Sequence, residues 1–232
     1  MWFPHNPQMS KMNYLSDESL KALNDFNTQN LTRRIAHIEH LADGITLETC
    51  QEFLTDLSAS HDAILAAKQL KALAGQINVS IHALGILRCL PHILEPNEVV
   101  ESMSLGAGNT GKSFDLETSQ RVAEFKFINW KGGSEAIRQN GIFKDFYGLA
   151  EAETMKSKHL YLLGVEHATK FFNGGRSLKS VLSKNRKIAD EFDLKYGQNI
   201  KIVRDYFALK SREVSVEDVS PYVPELVQRP SS

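Results

Sequence analysis

Between Ser102 and Trp130 the chain alternates apolar and polar side chains with a period of two, in three short runs broken by turn residues. Gly108-Asn109-Thr110-Gly111 is turn chemistry, because Gly and Asn tolerate the positive φ that tight hairpin loops need. Thr118-Ser119-Gln120-Arg121 predicts a second two-residue loop. With Ser119 and Gln120 in that loop, Glu117 faces Val122, Leu116 faces Ala123 and Asp115 faces Glu124. The first turn sets Leu105 opposite Phe114 and Ser104 opposite Asp115. Met103, Leu105, Phe114, Leu116, Ala123, Phe125 and Phe127 then share a core face, and Ser102, Ser104, Asp115, Glu117, Glu124 and Lys126 share the other.

The flanking pattern is helical. Upstream, Leu20/Leu23/Phe26 and Leu31/Ile35/Ile38/Leu41 mark two amphipathic helices, capped near Ser16 and Asn30. A third is expected from Thr46 to about Leu57, and a fourth from Ser60 to Gly75. Val79 to Leu90 is almost purely apolar, a buried core helix that Pro91 should stop. Its polar exceptions are His82, expected to be a satisfied core histidine, and Arg88. Downstream, Ser134 caps a helix over 135–151, and Lys158 to Val165 reads as a buried strand. A strand, a helix and a strand in succession predict a parallel crossover. A short helix over 166–172 follows, then a strand or helix at 200–209, and an extended tail from Ser220.

Setting Asp115 beside Glu124 changes the picture from packing to chemistry. Like charges directly across a ladder repel, so one carboxyl should have a raised pKa unless a cation lies between them. Two hard oxygen donors suit Mg²⁺, which keeps several waters and takes one or two carboxylates. Lys126 adds a positive charge on the same face.

Phe114-Asp115 followed by Glu124-Phe125-Lys126, on a hairpin with a helix before it and a helix and buried strand after it, resembles the PD-(D/E)xK nucleases, the restriction endonuclease-like superfamily. The resemblance covers roughly residues 77–165, and Phe114 stands where the motif has Pro. It implies an α/β fold: a restriction endonuclease-like central mixed sheet flanked by helices, here with an N-terminal helical extension. It implies a Mg²⁺-dependent phosphodiesterase, a deoxyribonuclease of restriction, defence or repair, for which Mn²⁺ can substitute. Asp115, Glu124 and the backbone carbonyl of Phe125 are the implied metal ligands, and Lys126 the group that orients water or stabilises phosphoryl charge. Glu117 is placed to hold a second metal or to line the rim. An upstream Glu often completes such sites; Glu95, Glu98 and Glu101 are available, and Glu101 is carried forward as a candidate. Arg138 and Gln139, on the first turns of the following helix, are candidates for phosphate contact. Many such nucleases act as homodimers.

A competing motif shares the stretch. Gly106 to Ser113, GAGNTGKS, satisfies the phosphate-loop pattern, with Lys112 and Ser113 in the phosphate and Mg²⁺ roles. That loop should follow a buried parallel strand and open a helix, whereas Phe114 to Thr118 alternates like a strand. His37 and His40, one helical turn apart, fit surface positions better than ligands.

Composition is ordinary for a globular chain of 232 residues, with 42% hydrophobic and 24% charged side chains. No apolar run reaches the ~20 residues of a membrane helix, and the opening MWFPHNPQMSKMNYL lacks a signal-peptide pattern. Cys50 and Cys89 lack metal-ligand spacing, which predicts free thiols in a reducing, cytoplasmic setting. The net charge of −1 conceals an asymmetry: residues 167–212 carry eleven Lys or Arg against four Asp or Glu, a net +7. Such a segment supplies either a polyanion-binding face or a solvated charged surface, and the nuclease resemblance implies nucleic acid, DNA above all, as the polyanion. The expected organisation is a helical extension over 1–60, a nuclease domain over 61–219 and a tail over 220–232. The alternative is a non-catalytic nucleic-acid-binding or assembly module of the same fold.

Overall fold

The computed structural model describes residues 16–27, 31–106, 111–128, 130, 136–197 and 199–227. The chain divides into two compact units, residues 1–78 and 79–232. The described part of the first unit holds α1 (Asp17–Asn27), α2 (Leu31–Leu41), α3 (Leu47–Asp56) and α4 (His61–Ala74). The starts of α3 and α4 follow their sequence signals: the Thr49 hydroxyl takes the Thr46 amide at α3, and the Ser60 hydroxyl takes the Ala63 amide at α4. α4 packs along α1 and buries Ala63 and Ala66. That packing puts α4 in the helical unit, so the division falls after residue 78 and not after residue 60.

In the second unit α5 (Ile77–Ile93) leads into a sheet of β1 (Val100–Met103), β2 (Leu116–Thr118) and β3 (Arg121–Lys126). Then come α6 (Ala136–Ala150), β4 (Ser157–Leu162), the helices α7 (Glu166–Phe172), α8 (Leu178–Leu182), α9 (Arg186–Tyr196) and α10 (Val203–Lys210), and β5 (Val214–Asp218). The result is a mixed α/β unit with an open five-stranded sheet in the order β1-β2-β3-β4-β5. β2 is antiparallel to both neighbours, whereas β3–β4 and β4–β5 are parallel.

The hairpin register is the one the alternation predicts. Leu116 pairs with Ala123 and Glu117 with Val122, while Met103 pairs with Leu116 and Ser102 with Glu117. The Thr118 hydroxyl accepts the amides of Gln120 and Arg121, which closes the turn through Ser119 and Gln120. The other turn, at Gly108–Gly111, lies mostly outside the described residues, as do the loop over 131–135 with its Ser134 cap, and Asn30.

Both faces of the sheet are covered. Ala123, Phe125, Tyr161 and Leu163 pack against Ile86, Cys89 and Ile93 of α5. Val122, Leu160 and Leu162 pack against Phe143, Phe146 and Leu149 of α6 and against the later helices. Period two therefore points Glu124 and Lys126 at α6. α5 meets the sheet closely, since a Cβ on Gly85 would lie 2.6 Å from the Phe127 ring.

Five details depart from expectation. Phe114 joins the α6-side core instead of the α5-side core, because β2 begins at Leu116 and strand alternation does not reach back to it. Pro91 sits inside the last turn of α5, which runs on to Ile93. α5 buries one stripe and leaves Leu84 and Leu87 exposed, so it is not buried all round. β5 was not foreseen. Finally, residues 220–226 are not an extended tail: they form two 3₁₀ turns, and Val219 and Val223 seal the α5-side core. Among the described residues, no single helix is long and apolar enough to cross a membrane.

Candidate active site

Four elements bring a cluster of ionisable groups to the end of β3, the central strand of the sheet. Asp115 stands immediately before β2, and its Oδ2 accepts the amide of Phe125 at 2.9 Å. This carboxylate takes the place of a ladder bond where β2 has stopped, so its position is fixed by the β3 backbone. Its Oδ1 lies 3.3 Å from His82 Nε2 on α5. Glu124 and Lys126 project from β3, and the Lys126 ammonium lies 2.8 Å from Asp145 Oδ2 on α6. A cleft of about 340 Å³, lined by Ser113, Glu124, Lys144, Asp145 and Glu151 among others, opens onto the acids.

The electrostatics separate the carboxyls. Burial, with Asp145 and Asp115 as like-charged neighbours, pushes Glu124 up to about 9 in spite of Lys126. Burial also works against ionisation of Asp115, but His82, the Phe125 amide and Lys126 outweigh it and hold that carboxyl below its ordinary value. Asp145 is raised, because burial dominates the attraction of Lys126. Lys126 itself is raised: burial opposes its charge, yet Asp145, Glu124 and Asp115 overcome that. Without a metal the cluster thus holds an ionised Asp115 next to a protonated Glu124.

The trio Asp115, Glu124 and Lys126 is therefore brought together as the register required. The other sequence candidates go elsewhere. Glu101 and Glu117 both bind the Lys156 ammonium, at 2.6 and 2.8 Å, which holds their carboxylates away from the acid cluster. Gln139 accepts a hydrogen bond from Arg176 in a separate cavity. Arg138 lines a cavity of about 230 Å³ that Lys126 also lines. Glu98 forms a bidentate pair with Arg121, at 2.6 and 2.7 Å, and takes the Thr118 hydroxyl. The phosphate-loop reading fails on context: Lys112 donates to the Met103 carbonyl, and the next element is the strand β2, not a helix.

The sequence gives Asp145 no role and expects His82 only as a satisfied core histidine. Asp145 carried a signal: with Ile142, Phe146 and Leu149 it completes an i, i+3, i+4, i+7 stripe whose other members are all buried. A charged residue in a core stripe needs a partner, and Lys126 is that partner. His82 had only its isolation in an apolar run, and its tie to Asp115 depends on tertiary packing.

The donors fit a hard divalent cation. Asp115 and Glu124 offer carboxylate oxygens, and a bound cation would replace the proton that Glu124 otherwise retains. Among the described residues no group of three or more His, Cys, Asp or Glu side chains is placed to hold a metal ion. No protein-family profile, curated protein or solved structure matches the chain.

Proposed function

We propose that residues 79–232 form a metal-dependent nuclease of restriction endonuclease-like architecture that hydrolyses phosphodiester bonds in nucleic acid, DNA in the first instance. The observation that carries the reading is the meeting of Asp115 and Glu124 beside Lys126 at the end of the β2–β3 hairpin. The succession of helix, three strands, helix and parallel strand supports it.

Asp115, Glu124 and the Phe125 carbonyl would hold Mg²⁺ or Mn²⁺. Bound there, the ion supplies Lewis-acid polarisation of the phosphate and acidifies a coordinated water. Asp145 restrains the Lys126 ammonium, so that it is positioned to orient the nucleophile or to meet charge developing on phosphoryl oxygens. His82 fixes Asp115 in its ionised state. Paired repelling acids weaken a fold and are hard to reconcile with a purely structural role.

Supercoiled plasmid and single-stranded DNA incubated with Mg²⁺, Mn²⁺ or EDTA test the reading, with Lys126→Ala alongside. Cleavage that requires metal and falls at least 100-fold in the variant is expected. Metal-independent cleavage, or cleavage undiminished in Lys126→Ala, would overturn the site assignment. Tight, salt-sensitive DNA binding with no cleavage by either protein would make the unit a binding module.

A further inference from the structure

A second cavity, of about 390 Å³, is lined by none of the acid-cluster residues and is not used by the chemistry above. Its walls include Trp130, Gln139, His167, Lys170, Phe171 and Arg176. Its size falls within the roughly 300–1,000 Å³ of small-ligand sites. Aromatic rings line one side of it: the Trp130 indole lies 6.0 Å from the His167 ring and 6.3 Å from Phe171.

The polar groups in this cavity are mostly donors. Lys170 is exposed and has no ion-pair partner among the described residues. Arg176 gives one N–H to Gln139 Oε1 and keeps the rest of its fork. With its oxygen so occupied, Gln139 presents its amide N–H₂. The Trp130 indole N–H is buried and has no acceptor among the described residues. An aromatic wall with unspent cationic donors calls for a flat, acceptor-rich, anionic ligand, which a nucleotide is.

The cavity is joined to the catalytic cluster through one residue. Trp130 also lines the 230 Å³ cavity that contains Lys126 and Arg138. Arg138 and Gln139, adjacent on α6, thus face two cavities that share the Trp130 wall.

We propose that this cleft binds one unpaired nucleotide of the substrate strand next to the scissile phosphate, with its base on Trp130 and His167 and its phosphate on Lys170 and Arg176. The inference rests on the nuclease reading, and it names the substrate class: a base inside a duplex is already stacked, so the cleft selects single-stranded or frayed DNA.

The test is tryptophan fluorescence in EDTA, where no cleavage occurs. The chain has two tryptophans, so Trp2→Phe leaves Trp130 as the sole emitter. Titration with a ten-residue oligodeoxythymidylate should quench Trp130 saturably, and a blunt duplex of the same length should bind at least about 10-fold more weakly. Lys170→Ala with Arg176→Ala should weaken the single-strand affinity about 10-fold or more, and His167→Ala should reduce the quenching. Lys184→Ala, in the same basic segment but outside the cleft, should change affinity about 2-fold or less. Unaltered circular dichroism spectra guard against unfolding. Single-strand binding that leaves Trp130 emission unchanged, or that Lys184→Ala weakens as much as the cleft variants do, would overturn the proposal. Metal-dependent DNA cleavage together with a silent Trp130 sinks the cleft alone, whereas quenching without cleavage sinks the nuclease reading and leaves nucleotide binding in place.

Discussion

Two glutamates packed around one sheet show opposite uses of burial. The Glu98 side chain, in the loop before β1, is fully buried against Arg121 at the start of β3, and Glu124 is largely buried three residues further along β3. Burial acts against both. Glu98 nevertheless drops to about 2, because two bonds from Arg121, the Glu95 amide and the Thr118 hydroxyl all favour its charge. Arg121 is in turn bonded to the Tyr161 hydroxyl at 3.0 Å, so the whole group is satisfied. Glu124 meets two more acids and one lysine already drawn to Asp145, and it rises to about 9. A carboxylate with matched donors stabilises the fold. One left among its own kind stores unfavourable free energy that a cation can release. The first belongs to the architecture, and the second marks the site.

The largest break in that contrast should come from Glu124→Gln. We expect at least a 100-fold loss of metal-dependent cleavage and, in EDTA at pH 8, a metal-free protein stabilised by about 1–3 kcal/mol, measured by chemical denaturation. Loss of stability in that variant would show that Glu124 has a satisfying partner and would undo the contrast. Glu98→Gln should do the reverse. It leaves the buried Arg121 without its counter-charge, at a cost of about 3 kcal/mol, and preserves cleavage per folded molecule.

The pH dependence sharpens the difference by sign. The Glu98 pKa is lowered on folding, so its contribution is complete above its ordinary value near 4.5 and is lost as pH falls toward about 2. Urea midpoints between pH 5 and pH 2.5 should therefore fall less steeply in Glu98→Gln. The Glu124 pKa is raised, so the folded protein retains a proton that the unfolded chain has released, and stability declines from about pH 4.5 toward about 9. Equal slopes for the wild type and Glu124→Gln across that window would contradict the assignment.

The smallest effect tests the support of the site. Gly85→Ala forces the Phe127 ring to give way, at about 1–2 kcal/mol by thermal melts. Phe127 stands edge-on to His82 at 6.1 Å, so cleavage should also weaken slightly. An unchanged melting temperature would mean that the ring moves freely.

The hairpin was legible because two turns and one alternation had to agree. A slip of one residue would have moved Asp115, Glu117, Glu124 and Lys126 into the apolar layer under α5. What escaped is equally physical. In β5, Val214 and Val216 are the only apolar positions before Glu217 and Asp218, too short a pattern to stand out after four helices. Residues 220–226 looked extended because of Pro221 and Pro224, yet each proline starts a 3₁₀ turn. Glu101 and Glu117 were candidates by position on the strand, and only Lys156, which follows the crossover helix, redirects them. Part of the basic segment's promise was similarly tempered: Lys195 and Lys210, two of its eleven cations, are engaged by Glu151.

The seam formed by β5 and the turns after it has a kinetic meaning. β5 reaches β4 across the whole helical crossover, and Val219 and Val223 close on α5, more than a hundred positions back along the chain. Contacts so distant in sequence are slow to find, because the intervening loop must be closed before they repay it. This seam should be among the last parts of the sheet to assemble during refolding. Once assembled it borders both cores, so a protease that cuts within residues 214–223 reports global opening and not the motion of a local flap.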